Sequence, residues 1–156
     1  MGKYGKTTSV PVERSQAEAR KILTDNHCDD IRHMETSTGY ALEFVYNYRL
    51  IRFVIKYPEM DSPEICETET GKIRTPDQVE KAYSQEVRRL YRALCMCIRM
   101  KFEIVDSGIS CFEDEFLSHT VDPITKQTYG KFLHPYIEDR IAGIDVSPTL
   151  CLPVPE

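Results

Sequence analysis

Apolar residues recur with a period near 3.6 from position 75 to about 108, and with a period of 2 from position 40 to 57. The first pattern predicts one long amphipathic helix and the second predicts half-buried strands. Thr75 suits the helix N-cap, and Pro76 follows where its missing N–H costs nothing. Gln78 completes a capping box, and no Gly or Pro interrupts the chain before Gly108. The rod so defined is about 50 Å long. At 100° per residue from Lys81, the residues Tyr83, Val87, Leu90, Leu94, Ile98 and Val105 fall between about 180° and 260°. Lys81, Arg88, Arg92 and Arg99 fall within about 20° of zero, on the opposite side. The pattern therefore predicts a core stripe facing away from a basic stripe. From Ala93 onward the apolar residues spread around the helix through Cys95, Met96, Cys97, Met100 and Phe102. That spread predicts cover on more than one side, by the C-terminal region or by a second subunit, and makes this half of the helix a candidate homodimer face.

Ahead of the long helix, Ser15-Gln16-Ala17-Glu18 reads as a capping box that opens a first helix, ending near Asn26. Three strands follow at about 30–36, 40–46 and 48–57, with turns at Ser37-Thr38-Gly39 and at Asn47. Leu42, Phe44 and Tyr46 share one side of the second strand, and Ile51, Phe53 and Ile55 alternate with Arg52 and Lys56 on the third. The expected sheet is an antiparallel meander, apolar on one face and polar on the other. The segment from Glu59 to Glu69 carries five carboxylates and no basic residue, which predicts a solvated, mobile loop. After Gly108, a capping box at Ser110 and Glu113 opens a short helix carrying Phe112, Phe116 and Leu117. A last helix is expected from about Tyr129 to Ala142, with Pro135 inside it. The fold class is therefore α+β: a three-stranded antiparallel sheet packed by a long central helix, with additional C-terminal helices. Residues 1–144 read as a single domain and 145–156 as a flexible Pro-rich tail.

Composition narrows the function classes. The chain is 29% charged and 41% hydrophobic, as folded domains are, and its net charge is −5. Any contact with nucleic acid therefore has to be a local patch. No apolar run reaches the length of a membrane span, and the first residues lack a secretory h-region, so a cytoplasmic location is expected. Six cysteines, Cys28, Cys66, Cys95, Cys97, Cys111 and Cys151, are then expected as thiols. Cys95 and Cys97 point about 200° apart on a helix and cannot hold one metal together. No nucleophile elbow, phosphate-binding glycine loop or H-E-x-x-H motif is present.

Three stretches resemble a family of small uncharacterised bacteriophage and prophage proteins. They are Ser9-Val10-Pro11-Val12-Glu13-Arg14-Ser15-Gln16-Ala17-Glu18, Tyr91-Arg92-Ala93-Leu94, and the run Asp106-Ser107-Gly108-Ile109-Ser110-Cys111-Phe112-Glu113-Asp114-Glu115-Phe116-Leu117. The resemblance implies a mobile-element origin and a host-cytoplasmic setting. It implies no activity, so no catalytic residue follows from it.

The candidate chemistry is thin. The cationic groups of Lys81, Arg88, Arg92 and Arg99, spaced along one helix face, could track a phosphate backbone, with Arg49, Arg52 and Lys56 of the polar sheet face extending the patch. Glu115 and His119, four apart, make a weak metal-ligand pair within the segment Glu113–His119. The expectation is a non-enzymatic, phage-type binding protein that needs no cofactor and takes nucleic acid along the basic helix stripe. A protein–protein factor acting on a host or phage protein is the alternative, and a metal-dependent enzyme using the Glu113–His119 segment is the second alternative.

Overall fold

The computed structural model describes residue 5 and residues 7–144. The tail expected at 145–156 lies outside the described residues. The chain runs α1 (Val12–Asp25), β1 (Asp29–Thr36), β2 (Gly39–Tyr46), β3 (Arg49–Lys56), α2 (Pro63–Cys66), α3 (Pro76–Asp106), α4 (Phe112–Phe116), a 3₁₀ turn (Leu117–His119) and α5 (Tyr129–Ile141). This is the predicted α+β arrangement. The strands form one antiparallel meander in the order β1-β2-β3.

Pairing is continuous from Gly39↔Lys56 to Tyr46↔Arg49, so side chains on β2 and β3 meet in rows. Tyr40, Leu42, Phe44, Ile51, Phe53 and Ile55 are buried on the face covered by the helices. The other face carries the row Arg32–Glu43–Arg52 and, beside it, Met34–Ala41–Val54. Glu43 is only 4% exposed there, because Arg52 Nε donates to its carboxylate at 2.6 Å and Arg32 lies 3.9 Å away.

α3 is 31 residues long, and its N-terminus uses the predicted cap: the Thr75 N–H donates to Gln78 Oε1 at 3.0 Å. Its buried residues are Tyr91, Cys95, Ile98 and Phe102. Val87, Leu90, Leu94 and Val105 are only partly buried. The core line is thus rotated by about 70° from the predicted one, toward the basic stripe. The cause is α1. It packs alongside α3 through Ser15, Ala19 and Leu23, one turn apart and small at the first two positions, so that the helices approach closely. Ser15 is therefore not the cap expected of it. It is 1% exposed inside this contact, and the helix begins at Val12, four residues ahead of the start expected after Ser15.

The apolar C-terminal half of α3 is covered within the chain by α1 on one flank and α4 on the other. Phe116 is fully buried, with ring centroids 4.3 Å from Phe112, 5.2 Å from Phe102, 6.1 Å from Phe44 and 6.3 Å from Phe53. α1 and α4 thus cover much of this half, while Cys97 and Met100 stay exposed. α4 itself starts after Cys111 with no side-chain cap, so the expected Ser110 box is not made.

The acidic segment is ordered rather than loose. Ile65 is 2% exposed against the body. The Arg74 guanidinium donates to the carbonyls of Glu64 and Ile65 at 3.1 and 2.7 Å, and Glu67 pairs with Ile73 as an isolated bridge. One buried isoleucine and one arginine clasp are enough to pin a run that its charges alone mark as solvated.

Candidate nucleic-acid interface

The basic helix stripe does not face water as a unit. Because α1 lies on that flank, Glu18 sits between Arg92 and Arg99. Arg92 Nη1 donates to one carboxylate oxygen of Glu18, and Arg99 Nη2 donates to the other at 2.5 Å. Burial raises the Glu18 carboxyl, and the two guanidinium groups overcome this and hold it below its ordinary range. Arg88 Nη2 donates to Gln85 Oε1 at 2.9 Å, and Gln85 in turn donates to the Thr8 carbonyl at 2.9 Å. Of the four predicted cations, Lys81 alone is classed as exposed. Two of the four, Arg92 and Arg99, thus serve as an interhelical clamp on Glu18.

The sheet cations are divided as well. Arg52 and Lys56 lie on the outer face. Arg49, three positions from Arg52, falls on the opposite side by strand alternation, where its guanidinium meets Glu113 at 3.0 Å. The helix stripe lies against α1 on the helix side of the sheet, away from the outer face that carries Arg52 and Lys56, so the seven predicted residues do not form one patch.

A different cluster is assembled at the β2–β3 end of the molecule. Asn47 and Tyr48, with φ of 45° and 63°, form the two central positions of the hairpin turn. Both angles are positive, as a type I′ turn requires, and the second position is one that glycine ordinarily fills. Here it holds a tyrosine whose side chain is fully exposed. The chain after the 3₁₀ turn returns beside β3. Thr120 bridges Ile51, and the Val121 N–H donates to the Leu50 carbonyl at 2.8 Å. It then folds into a tight hairpin in which buried Asp122 accepts from the Thr125 N–H at 2.6 Å, which holds that carboxyl below its ordinary range. The hairpin delivers Lys126, at φ 59°, to the start of β3, where the Arg52 guanidinium donates to the Lys126 carbonyl at 3.0 Å.

A cleft of about 380 Å³ results, lined among others by Tyr48, Arg49, Lys126 and Tyr129. Among the described residues Lys126 makes no ion pair, while Arg49 and Arg52 each keep one carboxylate partner. Aromatic faces beside cations suit a ligand with flat rings and phosphates. Lys126 and Tyr129 were not legible as site residues. They reach Tyr48 only through the long-range pairing of Val121 with Leu50, for which local sequence carries no signal.

Acid–base chemistry finds little purchase. The Tyr57 hydroxyl donates to Glu35 at 2.8 Å and lies 2.6 Å from the Tyr91 hydroxyl, and the Tyr40 hydroxyl lies 2.6 Å from His33 Nδ1. Burial, and then Arg20, lower the His33 imidazole. Burial pushes Tyr57 up to about 12 and raises Tyr40 and Tyr91. Each of these shifts moves the group away from titration near neutral pH, and the hydrogen bonds of Tyr57 and Tyr91 tie the sheet to α3. Burial likewise pushes the Cys28 thiol up to about 12 and raises Cys95, away from nucleophilic thiolate. Glu115 and His119 do not cooperate as ligands. Glu115 takes Lys101, and His119 stacks on Phe53 at 3.9 Å, its imidazole lowered by burial and then by the Lys101 charge. Among the described residues no three His, Cys, Asp or Glu side chains gather into a metal-binding group, and no helix is long and apolar enough to cross a membrane.

Comparison of the chain with family models, with curated proteins and with solved structures finds no match in any of the three.

Proposed function

We propose that the protein is a nucleic-acid-binding protein whose contact surface is the Tyr48 end of the sheet. The observation that carries the reading is Tyr48 itself. A bulky side chain is held in water on a left-handed backbone, a conformation that costs an L-residue about 1–2 kcal/mol. Among the described residues, no packing of the ring recovers that cost. A base stacked on the ring would, and the cations Arg49 and Lys126, which line the same cleft, would meet the adjoining phosphates. A bacteriophage or prophage setting in the host cytoplasm belongs to the same proposal, on the resemblance of the stretches around Ser9–Glu18 and Asp106–Leu117.

Fluorescence anisotropy with labelled single- and double-stranded DNA and RNA at two salt concentrations tests the reading. Expected are binding at low salt, weakening as salt rises, and at least tenfold loss in Tyr48→Ala and in Arg49→Glu paired with Lys126→Glu. Absence of binding to every probe at low salt overturns it and leaves a protein partner as the reading in its place.

A further inference from the structure

A second cleft, of about 610 Å³, opens at the other end of β3. Lys56, Tyr57, Met60 and Tyr83 are among its lining residues. We propose that the two clefts are the ends of one track, and that the ligand is a single strand of nucleic acid running along β3 between them. This rests on the nucleic-acid reading above and specifies which form of nucleic acid is taken and where it lies.

The geometry points this way for four reasons. From Arg49 to Lys56 is seven residue steps, or about 23 Å at roughly 3.3 Å per residue. The even-numbered residues Arg52, Val54 and Lys56 share the outer face, so the cations Lys126, Arg52 and Lys56 succeed one another along this span. Val54 between them is 63% exposed, with no element of the described chain laid over it. The line ends at each side in a cleft: Tyr48 and Tyr129 line one, and at the other Lys56 meets Tyr57 and Tyr83, which reach the end of the sheet from its helix side.

The second cleft is also preorganised. Glu35 and Tyr91 hold the Tyr57 hydroxyl at 2.8 and 2.6 Å, so its ring is fixed before any ligand arrives. Met60, half-exposed and adaptable, faces the same space. Glu59 also lines the cleft, and its carboxylate repels phosphate, which favours the sugar–phosphate chain on the Lys56 side. Bases can enter both clefts only if they are unpaired, which selects single strands over duplex. At about 3.4 Å per stacked nucleotide the track holds about seven nucleotides, and fewer if the strand is extended.

The test is a length series. Labelled oligothymidylates of increasing length and a hairpin duplex of matched charge are titrated by anisotropy at low salt. Affinity should climb with length, level off near seven nucleotides, and exceed that for the duplex at least tenfold. Lys56→Glu and Tyr83→Leu should each weaken the longer oligomers at least tenfold and flatten the length dependence. Lys56 is exposed, so its variant serves even if Tyr83→Leu fails to fold by circular dichroism. If affinity is already flat from the dinucleotide upward, or Lys56→Glu binds long oligomers as the parent does, or duplex binds as tightly, the track is overturned while the Tyr48 site stands. If no oligomer binds at all, both proposals fall together.

Discussion

At Tyr48 the backbone and the side chain favour different residues. The turn geometry favours glycine, and only the exposed ring argues for tyrosine. Tyr48→Gly should therefore raise stability by about 0.5–1 kcal/mol in urea denaturation, the relief of left-handed strain being offset in part by the entropy of a more flexible unfolded chain. The same substitution should lose oligonucleotide binding at least tenfold. A variant that is both more stable and less active separates a functional strain from a defect of packing.

Glu18 makes the complementary case, a charge retained for structure. Glu18→Gln should cost about 1 kcal/mol, since it takes the charge from both contacts in a partly exposed site and leaves two guanidinium groups facing each other. His33 sets a pH limit. Its folded-state pKa lies below the ordinary 6.5, so the unfolded chain binds the proton more readily. Stability from this group is complete above about pH 6.5 and is lost as pH falls from there toward the lower folded value. Burial lowers His119 in the same direction. Glu18, held below its ordinary 4.5, adds a further loss below that value. Thermal melts between pH 8 and pH 5 should show a declining midpoint with the first break near 6.5, and His33→Gln should flatten that break.

Among the elements, those governed by local rules were legible. The capping box at Thr75 and Gln78, the alternation Ile51-Arg52-Phe53-Val54-Ile55, and the turns at Gly39 and Asn47 each fix structure within a few residues. The rotation of α3 about its axis was not, because it depends on which flank α1 occupies. Polar Ser15 inside that contact disguised the inner face of α1 as a cap. The candidate site was half legible for the same reason: Arg49, Arg52 and Lys56 could be named from β3, but Lys126 and Tyr129 arrive by a pairing some seventy residues away in sequence. Two elements differ sharply in worth. Phe116→Ala, at the meeting point of four other rings, should cost about 3–5 kcal/mol by chemical denaturation. α5 has 13 residues and buries none of them, so ending the chain after Tyr129 should change stability by about 1 kcal/mol or less. The apolar contact it makes is offset by the entropy of ordering it.

The whole molecule is acidic, and its proposed ligand is a polyanion. The net charge of −5 means that long-range attraction contributes little and that contact has to be local. Three cations line the track, Arg52, Lys56 and Lys126, and Arg49 borders its first cleft. A plot of log affinity against log salt should therefore fall with a slope no steeper than about −3, from roughly 0.7 per neutralised phosphate on a single strand. A much steeper slope would place the contacts elsewhere.

The chain has nine tyrosines and no tryptophan, so its ultraviolet emission is tyrosine emission alone. Tyr57 and Tyr91 are hydrogen-bonded to each other and to the Glu35 carboxylate, an arrangement that quenches phenol fluorescence. Tyr48, in water at the hairpin tip and free of a hydroxyl partner among the described residues, emits without that loss. The protein thus carries a native optical reporter at the place where a base is proposed to stack. Quenching on addition of unlabelled oligonucleotide, lost in Tyr48→Phe and in Tyr48→Gly, would make the binding event visible without any dye.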